Sequence, residues 1–142
     1  MLITTRNFGE VSIEEKDKII FPNGLLGFED KKEYILINNY DTEEPVPFMW
    51  LQSVQDPDLS FVVSIPFLLK PQYEVTIKED VCQKLNLKKP ETTGVYTICT
   101  IKDKVEDMTV NFQSPLIINT ETRQGEQIVL FESPYSMREP IK

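Results

Sequence analysis

The chain has 142 residues, enough to bury a core of its own, and its 23 acidic against 15 basic side chains give a formal charge of −8 and a pI near 4.6. Phosphate binding needs clustered Lys and Arg, and here they are scattered, with Lys88-Lys89 beside Lys84 the nearest thing to a cluster, so direct nucleic-acid binding is excluded as a main role. The chain has no histidine, which removes the commonest general base and metal ligand and with them every Ser/His or Cys/His nucleophile arrangement.

Met1-Leu-Ile-Thr-Thr-Arg-Asn runs straight into charged sequence with no signal peptide. No window approaches the ~20 apolar residues of a membrane span, so a cytoplasmic location without membrane contact is expected. Cys82 and Cys99 lack CxxC spacing and read as buried thiols acting as small hydrophobes.

In chain order, β-branched and aromatic runs predict strands at 2–5, 10–13, 18–21, 33–38, 48–54, 60–65 and 73–77, then at 93–101, 108–112, 115–119 and 126–131. Tyr73-Glu-Val-Thr-Ile and Gly94-Val-Tyr-Thr-Ile-Cys-Thr-Ile alternate apolar with polar, the period of a half-buried strand. Between the runs stand turn signals: Arg6-Asn-Phe-Gly9, Asn23-Gly24, Asp56-Pro57-Asp58, and a hairpin loop at 120–125 with Gly125 available for a positive φ. One short helix is predicted over 78–87, with Glu79-Asp80 suiting its dipole and Val81 and Leu85 on one face. Many short strands at this spacing, without repeat or linker, predict one small mostly β domain spanning 1–142, an antiparallel barrel-like fold.

No glycine-rich phosphate loop is present, and Asp56 with Asp58 across Pro57 is the one carboxylate pair that invites a catalytic or metal reading; a loop Asp capping its own turn explains it as well. Aromatic and proline residues crowd three turns: Phe21-Pro-Asn-Gly-Leu-Leu-Gly-Phe28, Pro47-Phe-Met-Trp-Leu-Gln-Ser53 and Pro66-Phe-Leu-Leu-Lys-Pro-Gln-Tyr73. Trp50 and Phe61 are expected inside. Leu68 and Leu69 lie in a proline-bounded segment too short for a paired strand, so an exposed apolar patch is expected there. On these residues alone the candidates are a β-barrel protein-interaction module, a carboxylate-dependent sugar hydrolase, and a lectin-like carbohydrate-binding domain.

Several stretches, in order and over nearly the whole chain, resemble the flagellar assembly factor family, FliW. They are Phe21-Pro22-Asn23-Gly24 with Gly27-Phe28-Glu29, then Phe48-Met-Trp-Leu-Gln-Ser53 with Asp56-Pro-Asp-Leu59. Pro66-Phe67 follows, then Pro115-Leu-Ile-Ile-Asn-Thr120 with Gly125 and Gln127-Ile-Val-Leu130. The resemblance implies a mostly β barrel without enzymatic activity, catalytic residues, cofactor or metal. It implies two cytoplasmic protein partners that exclude each other: flagellin before export, and the translational repressor CsrA, which the freed factor captures. Relatives often carry proline where Leu26 sits, so the bend at 25–27 lacks one fixed φ here.

For contacts with those partners the reading selects loop-proximal residues: Phe28, Gln52, Asp56, Asp58, Phe67, Leu68, Leu69 and Tyr73. An acidic rim of Glu43, Glu44, Asp56 and Asp58 would steer a basic partner. A monomer is expected in the free state.

Overall fold

The computed structural model describes residues 1–37, 48–101, 107–131 and 134–140. A hairpin comes first, β1 (Leu2–Thr5) with β2 (Gly9–Ser12), closed by the Thr5 hydroxyl, which donates to the Gly9 carbonyl at 2.8 Å and accepts the Phe8 N–H at 2.9 Å. There follow β3 (Ile19–Ile20), β4 (Glu33–Ile37), β5 (Phe48–Ser53), β6 (Ser60–Ser64), α1 (Pro66–Leu69) and α2 (Glu79–Lys84). The rest is β7 (Thr93–Thr100), β8 (Thr109–Val110), β9 (Leu116–Asn119), β10 (Gln124–Gln127) and β11 (Glu139–Pro140).

Seven of these strands close into a barrel in the order β3-β4-β5-β6-β7-β9-β10, with β10 returning to β3. Each neighbouring pair is antiparallel except the last, a single parallel step between Gln124 and Ile20. Beyond β9's contact, β8 continues along β7 and carries β11. Closure removes sheet edges, except where one strand stops short of its neighbour.

The period-two pattern sorts side chains between interior and exterior. Tyr34 and Leu36 of β4, Phe61 and Val63 of β6, Tyr96 and Ile98 of β7, and Leu116 and Ile118 of β9 point inwards onto Ile19, Phe21, Leu25 and Leu51. The alternate residues meet two outer layers. Ile35 and Ile37 pack under the first hairpin with Ile3, Val11 and Ile13. Phe48, Val62, Val95 and Cys99 pack beneath Leu69, Tyr73, Val75, Phe112 and Tyr135. Burying each large side chain contributes about 1.5–3 kcal/mol, so both barrel faces hold the fold. Phe61 and Trp50, expected inside, are half-buried, Trp50 lying edge-on to Phe8 at 5.6 Å.

Four local expectations differ from the structure. Residues 73–77 form no ladder; Tyr73 and Val75 face the outer layer while Glu74 and Thr76 face solvent, so the alternation reports burial without pairing. A second short helix, α1, stands beside the one expected over 78–87, because Pro66 at its first position supplies a helical φ and the missing N–H costs nothing there. The strand expected at 126–131 is ordered as β10 at Gln124–Gln127, with the Ile128 and Leu130 N–H groups continuing to the Pro115 and Gln113 carbonyls. In the hairpin turn the positive φ belongs to Arg123 (62°), not Gly125. The Asn119 side chain accepts the Glu121 and Thr122 N–H groups and sets that turn, and glycine is required at 125 for space: a Cβ there would meet Phe21 at 2.7 Å.

Candidate partner-binding surface

The eight residues selected from the sequence fall into two groups at opposite ends of β6. The Ser60 end carries Phe28 and the Gln52–Asp58 region; the Ser64 end leads into α1 with Phe67, Leu68 and Leu69, and on to Tyr73.

At the first end, Gly24 (φ 68°) and Gly27 (φ 87°) bend the chain so that Leu25 enters the core while Leu26 and Phe28 stay outside. A Cβ on Gly24 would lie 2.5 Å from the Glu29 backbone, so no other residue fits there. Phe28 rests edge-on against Phe61 at 5.2 Å and keeps 38% of its surface exposed. Gln127 and Glu126 of β10 hold this bend by accepting the Leu26 N–H at 2.9 Å and the Asn23 amide at 2.8 Å.

Gln52 is no surface contact. It is 0% exposed, and its Nε2 lies 3.0–3.4 Å from the carbonyls of Ser53, Asp56, Pro57 and Leu59, so it organises the loop from within. Asp56 Oδ1 accepts the Asp58 N–H at 3.0 Å, the self-capping turn rather than a cleft with converging acids. Asp56 is half-buried and Asp58 exposed. Glu43 and Glu44 lie outside the described residues.

At the second end, α1 is one helical turn: Leu69, expected at the surface with Leu68, is half-buried because the turn points it onto the outer layer, while Phe67 and Leu68 stay 42% and 49% exposed. Tyr73, expected at the surface, is 3% exposed and is the support beneath them. Its ring lies 5.7 Å from Phe67, 5.1 Å from Phe112 and 4.7 Å from Tyr135, and its hydroxyl donates to the Phe112 carbonyl at 2.6 Å. Burial raises its pKa, so it remains a neutral donor. The segment ending in β11 locks the arrangement: Tyr135 Oη accepts the Glu74 N–H at 2.9 Å, and Glu139 pairs with Lys70 at 2.7 Å. Phe67 and Leu68 therefore project from a braced base.

Beside them lies a feature that the selection of contacts missed. An open groove of about 410 Å³ runs between α1, α2 and β7, lined by the apolar Phe67, Ile77, Cys82, Leu87 and Val95 and by Lys88 and Lys89. Its far wall is set by the end of α2: the Asn119 amide donates to the Leu85 carbonyl at 2.8 Å and to that of Asn86 at 3.2 Å, and Asn86 takes a positive φ of 55° to stop the helix. The outward alternation of β7 and the Lys88-Lys89 pair were the sequence signals for this groove. What hid it was that its walls come from three separated segments. Cys82 lies in the groove wall with its thiol towards the Ile77 carbonyl. Among the described residues no three His, Cys, Asp or Glu side chains gather as a metal site, and no helix is long and apolar enough to cross a membrane.

Comparison with known proteins places this architecture. The FliW protein family matches residues 2–141. The Flagellar assembly factor FliW of Alkaliphilus metalliredigens is 40% identical over 141 residues, covering 99% of this chain and 86% of that one. The protein of the same name from Caldanaerobacter subterraneus is 38% identical over 99% of this chain and 93% of its own. A crystal structure of the flagellar assembly factor FliW superposes with a TM-score of 0.90 at 32% identity, covering 100% of this chain and 97% of that one. On the match of sequence and of fold alike, the chain belongs to the FliW family.

Proposed function

We propose that the protein is a flagellar assembly factor without catalytic activity, which holds flagellin in the cytoplasm before export and, once free, binds and antagonises the repressor CsrA. The family supports a role in flagellar assembly. The observation that carries the binding role is the exposed pair Phe67 and Leu68, braced from below by Tyr73 and set beside an apolar groove. Exposed apolar side chains on a rigid base bind without paying for their own ordering, which is how a few residues come to dominate an interface. The formal charge of −8 favours encounter with an RNA-binding protein, whose phosphate-binding face carries Lys and Arg.

The regulation is mass action. Whichever partner has the higher ratio of concentration to Kd occupies the monomeric factor, and tenfold selectivity corresponds to only about 1.4 kcal/mol. Export of flagellin lowers one ratio and hands the factor to CsrA.

Size-exclusion chromatography of the purified protein with flagellin, with CsrA and with both tests the exchange: two binary complexes and no ternary one are expected, and a stable ternary complex refutes it. Phe67→Asp and Leu68→Asp should each weaken at least one complex by about 2 kcal/mol or more, roughly thirtyfold in Kd. Wild-type binding by both folded variants removes this surface from the interface.

A further inference from the structure

β7 outruns its neighbour at the groove. β6 pairs Val62 with Cys99, Val63 with Ile98 and Ser64 with Thr97, and the chain then leaves the sheet for α1. On its other side β7 stays paired, Thr93–Tyr96 against β9. In an antiparallel ladder the N–H and C=O of one residue face the same neighbour, and the side alternates along the strand. The Ile98 carbonyl accepts from Asn111 and the Thr92 carbonyl from Thr120, so the even-numbered residues, Gly94 and Tyr96 included, turn towards β8 and β9. The odd-numbered ones turn towards β6: Thr97 and Cys99 find it, while Thr93 and Val95 face the space that β6 has vacated. The Thr93 N–H returns to the Pro90 carbonyl. The Thr93 C=O and the Val95 N–H and C=O have no partner among the described residues, and both residues line the groove.

An open stretch of strand beside apolar side chains is the geometry used for strand addition, in which main-chain bonds supply affinity and alternate side chains supply selectivity. Lys88 and Lys89 line the same groove and, among the described residues, neither is ion-paired, whereas Lys84 close by is held by Glu126 at 2.7 Å. Two unpaired lysines favour carboxylates and repel a protein whose surface is basic for RNA binding. We propose that the groove takes an extended segment of flagellin, added as a short strand to β7 at Thr93–Val95. Its apolar side chains seat on Phe67, Ile77 and Val95, with an acidic residue against Lys88 or Lys89. This rests on the reading that the protein binds flagellin.

The test is amide hydrogen exchange, resolved by residue, on the full chain alone and with purified flagellin, joined to affinity measurements on the surface variant Lys88→Glu/Lys89→Glu. In the free protein the Val95 amide should exchange at least tenfold faster than those of Gly94 and Tyr96. Saturating flagellin should slow Val95 at least tenfold. The lysine variant should weaken flagellin binding about tenfold at low salt and less at high salt. If flagellin binds but Val95 gains no protection, or the lysine variant binds like wild type, the strand-addition site is overturned while the flagellin-binding role stands. Protection of Val95 by CsrA instead, or by anionic vesicles, assigns the groove elsewhere and also overturns it. Failure of flagellin to bind the wild-type protein removes both.

Discussion

Replacing Gln52 by leucine preserves the side-chain volume and deletes one amide donor group buried under a loop. Four carbonyls converge on Nε2, from Ser53, Asp56, Pro57 and Leu59, and two hydrogens serve them. Three of those carbonyls keep another donor: Arg6 on Pro57, Leu59 on Asp56 and Ser53 on Leu59. The loss is therefore about two net hydrogen bonds of roughly 1 kcal/mol each, plus a desolvation cost of about 1 kcal/mol for lone pairs now facing a methyl group. Against this stands the Oε1 atom, buried with no hydrogen-bond partner among the described residues, whose removal returns about 1 kcal/mol. The balance is a destabilisation of about 2 kcal/mol, or a Tm lower by roughly 6–8 °C at this chain length. Urea denaturation should show the midpoint falling at unchanged slope, and amide exchange at 53–59 should rise before the barrel opens. Because Gln52 is buried, the proposed binding of flagellin should be as tight in the folded variant as in the wild type. A Gln52→Leu protein as stable as wild type, with unchanged exchange in the loop, refutes the account of this side chain as an internal scaffold.

Gly125→Ala places a Cβ 2.7 Å from the Phe21 ring and 3.0 Å from the Ile117 carbonyl, an overpacking cost of about 1–3 kcal/mol that Phe21→Leu in the same chain should partly relieve. A thermal double-mutant cycle reads this, and additive losses would move the clash elsewhere. Burial pushes the Cys99 thiol up from 9.0 to about 11 and the Tyr34 phenol up from 10.0 to about 12. In each case the folded state keeps a proton that the unfolded chain gives up first, so the stabilisation is whole below the unfolded value and lost as pH climbs through the folded one. The urea midpoint should thus hold up to about pH 9 and fall from there to about pH 12. Cys99→Ala should flatten the part of the curve between about pH 9 and 10, out of a total thiol contribution on the order of 2–3 kcal/mol; an undiminished fall in that variant refutes the assignment.

The barrel was legible because burial imposes a period on the sequence, and burial is what most residues of this chain report. Gly94 to Ile101 reads as a strand and β7 is one. The same signal misled at Tyr73-Glu-Val, where one face is buried against an outer layer and none of the described strands pairs with it. Composition alone does not separate those cases, since pairing depends on a neighbour distant in sequence. Gln52 illustrates a second limit: a polar residue next to a turn reads as exposed unless one knows that the turn folds over it. Gly125 shows a third. Glycine between two strands invites a positive φ, yet the need here is for space beside a ring 104 positions earlier in the chain.

These limits bear on the binding surface in unequal measure. Leu68 was legible as exposed because prolines at 66 and 71 cut the segment off from the sheet, a local fact. The same reasoning placed Leu69 outside, and the helical turn carries it inwards and leaves Phe67 out instead. The groove next to them was not legible, because it exists through a difference in length: β6 ends opposite Thr97 while β7 begins at Thr93. No motif encodes the four residues left over, and neither Val95 nor Lys88 is unusual by itself. Yet the same prolines produce both features. By starting a helix at Pro66 the chain stops β6 early, turns Phe67 and Leu68 outwards, and leaves the Val95 main chain open beside them. The apolar patch and the open strand edge are thus one construction, and a substitution that let β6 run on past Ser64 would be expected to close both together.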